Sequence, residues 1–211
     1  MLSERGFEPA AIGFVTAVSA LGFTLAVPVW GHLADVTLGR PRALQVAAIG
    51  AGAAMAAFGL PVARTEIATF AGTQALVIER FDRLRARDGR LIRLPQEDCC
   101  QALSVPPTRK YQSEGGPGIV EICGLLQGSD EPQRDRANFL KATILFWLIG
   151  ATDGHAKNFS IALMPGGRFT MTPLYDVLTV QPSLDAGQLQ TKDMKLAMRA
   201  GKSRRYKGAE I

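Results

Sequence analysis

The sequence predicts an α+β fold in which a mainly helical body with a few strands follows two apolar helices. Residues 10–31 contain no charged side chain, and residues 43–63 form a second uncharged stretch. The remainder alternates strand-like runs and Gly-containing turns with a long helical segment that ends in the apolar run 142–149. We therefore divide the 211 residues into an apolar helical pair (1–63) and a mixed domain (64–211).

The first apolar segment has the length and hydrophobicity of a membrane-spanning helix. The second is rich in Ala and Gly and only weakly apolar, so a buried helical hairpin competes with a second span. The loop between them, GHLADVTLGRPR (31–42), resembles the signature loop of major facilitator transporters. Two helices cannot form a translocation path, so we interpret this part as a transporter fragment that offers membrane association through residues 10–63.

Charge and thiols limit the possible function classes. Residues 1–63 hold three bases and three acids, so the net charge of +5 lies entirely in the mixed domain. A mildly basic surface suits phosphate ligands, although a solvated surface is the simpler interpretation. The sequence indicates no direct nucleic-acid site, because it has no basic repeat interleaved with aromatics. The three thiols form no C-x-x-C pair and fit a reducing cytosol.

One loop has the pattern of a phosphoryl-transfer site. In ATDGHAKN (151–158), Asp153 precedes Asn158 by five residues, between two strongly apolar segments. Kinase catalytic loops use this offset, with the Asp accepting the proton of the substrate hydroxyl and the Asn holding magnesium. A second carboxylate, Asp176, follows a predicted hairpin and can lie beside this loop. We predict Asp153 as the catalytic base and Asn158 and Asp176 as Mg²⁺ ligands; a turn-forming Asp153 and a strand-capping Asn158 are the alternatives.

Two neighbours of the base have less specific patterns. Lys157 could neutralise the γ-phosphate of ATP or contact a carboxylate, and a solvated lysine is the competing interpretation. His155 is interpreted as a residue that orders the loop, because Asp153 already takes the role of the base.

Five further blocks of sequence follow one another along the chain: LVIERFDR (76–83), RLPQED (93–98), KY (110–111) with GGPG (115–118), WLIGATDGHAKNFS (147–160) and PLYDV (173–177). In these blocks and their order the sequence resembles the HipA-type serine/threonine kinases, the toxins of bacterial toxin–antitoxin pairs. The resemblance spans about residues 60–201.

This resemblance implies a kinase-like C-lobe with a remnant of the N-lobe sheet. It implies a hinge at Glu79 and Phe81, where backbone groups pair with adenine and an aromatic ring packs nearby. ATP and Mg²⁺ are the implied cofactors, an aminoacyl-tRNA synthetase or similar protein the substrate, and a DNA-binding antitoxin the partner. The kinase domain would be cytoplasmic, with an anchor at the inner membrane if the apolar segments insert.

Two elements of an active kinase are missing from the pattern. Phosphoryl transfer needs a Gly-rich loop and a Lys on the phosphates, yet no lysine precedes Lys110 and the apolar segments occupy the place of both elements. The family also continues beyond Gly201, so we expect a chain cut at both ends. The expected function is a HipA-type kinase with impaired activity; a non-catalytic membrane-anchored remnant and a transporter fragment are the alternatives.

The order of elements after residue 63 follows from local signals. Asp88-Gly89 predicts a tight hairpin turn. Pro95 with the acids after it predicts a helix that opens at 95–98 and ends near Ser104. The remaining predicted elements are strands at 66–70 and 74–81, helices at 119–127 and 131–149, and a hairpin over 159–172.

Overall fold

The computed structural model describes residues 49–201 and 203–205, in which short strands surround one long helix. In chain order, after helical residues 49–57, the elements are β1 (Thr65–Phe70), β2 (Thr73–Ile78), β3 (Arg83–Arg85), β4 (Leu91–Arg93), β5 (Gln96–Asp98), α1 (Cys99–Ala102), α2 (Ile119–Leu126), α3 (Pro132–Leu148), β6 (Ser160–Met164), β7 (Arg168–Met171), α4 (Gln181–Asp185), β8 (Lys195–Ala200) and β9 (Ser203–Arg205). The mixed helix and strand content matches the predicted fold class.

The apolar segments are described only in part. Residues 10–31 lie outside the described residues. Helical residues 49–57 are followed by a turn at Gly59 (φ 69°), and Val62 then forms a parallel bridge to Leu174. Met55 and Leu60 are buried in the core of the mixed domain. Within the described ranges, no helix combines the length and the hydrophobicity that a membrane crossing requires. The boundary at residue 63 stays a prediction.

Two hairpins precede the helical body. Strands β1 and β2 pair antiparallel from Thr65↔Ile78 to the turn at residues 71–72. The predicted strand 74–81 ends earlier, at Ile78, and the chain then turns at residues 81–82. Strands β3 and β4 form the hairpin predicted at Asp88-Gly89, where Gly89 has a φ of 86°. A positive φ is the conformation that a glycine adopts without strain.

The prediction of a helix opening at 95–98 is wrong. Residues Gln96–Asp98 form β5, which pairs antiparallel with β6 through Asp98↔Ser160. Helix α1 begins only at Cys99, and Asp98 is its N-cap, with Oδ1 accepting a hydrogen bond of 3.0 Å from the Gln101 N–H. The acids that suggest a first helical turn therefore belong to a strand and a cap, because the ladder to β6 outweighs the local helix signals.

The core lies between α3 and the three-stranded sheet β5-β6-β7. Phe139 of α3 packs edge-on against Phe159 with ring centroids 4.8 Å apart, and Phe146 stacks on the same ring at 5.6 Å. Ile122 and Leu126 of α2 are fully buried in this cluster. Aromatic pairs at these separations add to the stabilisation from burial alone, so the loop between α3 and β6 is anchored at both ends.

Candidate active site

The loop 149–159 connects the end of α3 to the start of β6. Ile149 caps α3, Gly150 adopts a φ of 65°, and the Ala151 N–H donates to the Phe146 carbonyl at 2.8 Å. At Gly154 a Cβ atom would lie 2.2 Å from Cδ2 of Phe146. Only a residue without a side chain lets the backbone pass this close to α3, so the loop is fixed directly beside Asp153.

The two predicted metal ligands are in contact, although 18 residues separate them in the chain. Asn158 is buried, and its Nδ2 donates to Oδ2 of Asp176 at 3.0 Å and to the Asp176 carbonyl at 3.3 Å. Its Oδ1 accepts from the His155 N–H at 3.0 Å. Asp176 has a φ of 56°, a left-handed conformation that is uncommon outside glycine and typical of functional loops.

The predicted base is exposed and held from one side. The side chain of Asp153 is 66% exposed, and its Oδ1 accepts a hydrogen bond of 2.6 Å from the Tyr111 hydroxyl. Its Oδ2 lies 4.0 Å from Nε2 of His155, beyond hydrogen-bonding distance. The carboxylate therefore has one oxygen occupied by a phenol and one that a hydroxyl from outside the chain can reach.

His155 orders the loop with its backbone. Its N–H binds the side chain of Asn158, and its carbonyl accepts from the Asn158 N–H at 2.9 Å. The buried imidazole packs edge-on against Tyr111, and Nδ1 has no hydrogen-bond partner in the described part of the chain. Burial lowers the pKa of His155 from its ordinary value, so the ring is neutral at pH 7.

Lys157 forms an ion pair across the fold. Its Nζ lies 2.5 Å from Oδ2 of Asp98, and both side chains are largely buried. Of the two contacts considered for Lys157, the contact with a carboxylate is the one present. Because Asp98 also caps α1, this pair joins the loop 149–159 to the junction of β5 and α1.

The two predicted hinge residues, Glu79 and Phe81, have different surroundings. The Phe81 ring centroid is 5.5 Å from that of Tyr175, which places Phe81 beside the residue before Asp176. Glu79 is exposed, its carboxylate lies 3.8 Å from Arg64, and its N–H donates to the Arg64 carbonyl at 2.9 Å.

Sequence patterns missed three side chains that contact the site: Tyr111, Asp98 and Tyr175. Tyr175 donates to the Lys157 carbonyl at 2.8 Å, and its hydroxyl oxygen lies 2.5 Å from Oγ of Ser160. Burial raises the pKa of Tyr175 to about 12. All three belong to the blocks that carry the family resemblance, which is the only signal for them in the sequence.

The oxygen donors fit a magnesium ion shared with a nucleotide. Mg²⁺ in such sites is held by one or two carboxylates together with water and phosphate oxygens, and Asp176 can supply a carboxylate. Oδ1 of Asn158 already accepts from the His155 N–H, so it would bind the ion through its second lone pair. Residues 49–201 and 203–205 contain no group of three or more His, Cys, Asp or Glu side chains that could hold a metal.

Curated proteins that are similar to this chain are named as kinases. The model of the family described as HipA-like C-terminal domain matches residues 51–210. "Putative kinase Y4mE" of Sinorhizobium fredii is 44% identical over 148 residues, which cover 70% of this chain and 34% of that relative. "Serine/threonine-protein kinase toxin HipA" of Shewanella oneidensis is 30% identical over 134 residues, which cover 58% of this chain and 31% of that one. The chain thus spans about a third of the length of these relatives.

Solved structures share the fold. HipA of Shewanella oneidensis, in its complex with HipB and operator DNA, superposes with a TM-score of 0.67 at 25% identity, over 76% of this chain and 39% of that one. The Helicobacter pylori proinflammatory kinase CtkA gives a TM-score of 0.55 at 11% identity, over 76% of this chain and 61% of that one, a likeness of fold alone. Because the family model covers well over half of its residues, this chain belongs to the HipA-like C-terminal domain family.

Proposed function

We propose that this chain carries the catalytic lobe of a HipA-like serine/threonine protein kinase. The observation that carries the proposal is the contact between Nδ2 of Asn158 and Oδ2 of Asp176 at 3.0 Å, beside the loop that bears Asp153. An amide and a carboxylate held together next to an exposed carboxylate are the protein groups that phosphoryl transfer requires on this side of the nucleotide.

Each residue has a separate task in this proposal. Asp153 orients the substrate hydroxyl and accepts its proton on Oδ2, because Oδ1 is bound to Tyr111. Asn158 and Asp176 would hold Mg²⁺. Lys157, which pairs with Asp98 in this structure, would reach the γ-phosphate by exchanging that carboxylate for it. Bound Mg²⁺ and ATP supply the phosphoryl group and neutralise its developing charge.

The adenine side is assigned to the segment between β2 and β3. Glu79 would offer its backbone carbonyl, because its N–H already donates to the Arg64 carbonyl. Phe81 would give an apolar wall that Tyr175 supports from behind.

Substrate and partner are proposed from the relatives. A serine or threonine hydroxyl of a protein, such as an aminoacyl-tRNA synthetase, is the acceptor that the family resemblance implies. A DNA-binding antitoxin of the HipB type is the proposed partner, supported by the Shewanella oneidensis HipA complex with HipB and operator DNA. We place the kinase body in the cytosol, where ATP is available; an inner-membrane anchor through residues 10–63 stays a prediction that carbonate extraction would test.

Manganese binding tests the site without depending on turnover. Mn²⁺ can replace Mg²⁺ with ATP, and electron paramagnetic resonance reports the free ion. We expect Asp176→Asn to weaken Mn²⁺ binding in the presence of ATP roughly tenfold, equivalent to about 1.4 kcal/mol, because a charged ligand is lost. Asn tolerates a positive φ better than most residues, so the loop should keep its shape.

Asp193→Asn is the matched control, since Asp193 is an exposed acid in a different loop. It should bind Mn²⁺ like the unchanged chain. Equal binding by the Asp176 and Asp193 variants would contradict the proposed metal site.

A further inference from the structure

An arginine-rich ribbon carries most of the protein's charge. The segment 80–93 contains six arginines, no lysine and two aspartates, a net charge of +4 against +5 for the entire chain. Most of it forms the β3–β4 hairpin, which pairs with no other strand in the described ranges. Positive charge is therefore concentrated on one small, largely exposed element.

Three of these arginines form ion pairs with the two aspartates of the segment. Arg80 and Arg83 both bind the buried carboxylate of Asp82 and hold its pKa down at about 2. Arg90 pairs with Asp88 at 2.7 Å. These ion pairs fix the base and the tip of the hairpin, and the two aspartates compensate two of the three arginine charges.

The other three arginines have free charges. Arg85, Arg87 and Arg93 are exposed, and none of them pairs with a carboxylate in the described part of the chain. Arg85 makes only a long contact of 3.4 Å with the Gly89 carbonyl. All three guanidinium groups can therefore bind an external anion without breaking an internal ion pair.

The strand register puts two of them on one face with Arg83. Arg83 lies opposite Arg93, and Arg85 lies opposite Leu91, so these four side chains share a face. Positions two apart on a strand are about 6.7 Å apart, a spacing comparable to that of successive phosphates in a nucleic-acid strand. Leu84 and Ile92 occupy the other face and are also exposed.

We propose that the β3–β4 ribbon binds duplex DNA through its sugar–phosphate backbone. Arginine is suited to this because its planar guanidinium matches a phosphate with two parallel hydrogen bonds. The major groove of B-form DNA admits a two-stranded ribbon, whereas the deep, narrow major groove of double-stranded RNA does not.

Residues 83–93 contain no aromatic ring, which favours a duplex over a single-stranded ligand. Single strands are bound largely by stacking of bases on aromatic side chains, and contacts to a duplex backbone need none. The sequence predicts no direct nucleic-acid site because the pattern sought is basic residues interleaved with aromatic ones, and this segment has no aromatic residues. The inference does not depend on kinase activity.

Fluorescence anisotropy with a short labelled DNA duplex tests the proposal on the 211-residue chain. Two triple variants each remove three positive charges from exposed side chains. The ribbon variant is Arg85→Gln, Arg87→Gln, Arg93→Gln, and the matched control is Lys192→Gln, Lys195→Gln, Arg199→Gln. Circular dichroism melting confirms that both are folded.

Backbone binding makes the logarithm of affinity fall linearly with the logarithm of salt concentration, with a slope of about 0.9 per phosphate contact. We expect the ribbon variant to lose more than about tenfold in affinity at low salt and to flatten this slope by about 2.7. The control variant should keep a slope close to that of the unchanged chain.

Several results would overturn the proposal. Equal losses in both variants would mean that net charge alone attracts DNA. Binding of duplex RNA or single strands as tight as that of duplex DNA would exclude the groove. Displacement of DNA by polyglutamate at equal charge would indicate an acidic protein surface as the true ligand, and no measurable DNA binding at low salt would remove the site.

Discussion

At the residue scale, the phenol of Tyr111 restrains the carboxylate of Asp153. The loop that carries Tyr111 has little freedom, because a Cβ on Gly116 would lie 2.1 Å from the Arg109 carbonyl. Oε1 of Gln112 also accepts from the Arg199 N–H at 2.8 Å and ties this loop to β8. Tyr111 therefore occupies Oδ1 of Asp153 and leaves Oδ2, the oxygen proposed above to accept the substrate's proton.

The titration of Tyr111 tests this contact. The hydrogen bond to Asp153 raises the pKa of Tyr111, since a phenolate would lie against a carboxylate. We expect Asp153→Asn to lower the pKa of Tyr111 towards its ordinary value, as measured by NMR of chains labelled with [¹³C]tyrosine. Tyr175, whose pKa burial raises, is the internal control and should not move. An unchanged Tyr111 titration would show that the two groups do not interact in solution.

Sequence patterns predict the loop residues of this site better than their partners. Asp153 and Asn158 lie five residues apart, so one loop conformation determines their spacing and a local motif can encode it. The hydrogen bond from Tyr111 to Asp153 spans 42 residues. It depends on how two loops pack on α3 and β8, which no local pattern specifies.

At the scale of elements, long-range pairing decides where local signals compete. The predicted helices at 119–127 and 131–149 are correct to within a residue, because each is flanked by clear start and stop signals. At 95–98, Pro95 and the following acids are equally good helix signals, yet β6 pairs with this segment and makes it a strand. Asp98 then serves as cap and as partner of Lys157, a pair that follows only from the folded sheet.

The close approach of α3 and the loop beside Asp153 can be tested with two glycine variants. Gly154→Ala places a methyl group against the Phe146 ring, so we expect it to lower the free energy of unfolding by about 1–3 kcal/mol. Gly124→Ala, in α2, meets no atom within 4 Å and should raise it by about 0.5–1 kcal/mol. Urea denaturation measures both, and a harmless Gly154→Ala would mean that the loop stands off the helix.

At the scale of the whole molecule, Tyr175 joins three parts of the fold. Its ring packs on Phe81 from the segment between the hairpins, and its hydroxyl binds the Lys157 carbonyl. Because its single proton goes to that carbonyl, Ser160 of β6 donates to the phenol oxygen. The residue next to Asp176 thus holds the predicted metal loop, the loop 149–159 and the central sheet together.

This junction makes global stability fall in alkaline solution. The pKa of Tyr175 rises from 10 to about 12 in the folded chain, so above about pH 10 the folded state retains a proton that the unfolded state has lost. The contribution is complete below about pH 10 and disappears as the pH rises through about 12.

In Tyr175→Phe two hydrogen bonds are lost, which should cost about 1–3 kcal/mol at neutral pH. Because the variant has no phenol to titrate there, its stability should approach that of the unchanged chain between about pH 10 and about 12. Urea unfolding of both chains across this range measures the difference between their free energies of unfolding, in which the titration of all other groups cancels. A difference that stays constant with pH would show that the phenol ionises as freely in the folded chain as in the unfolded one.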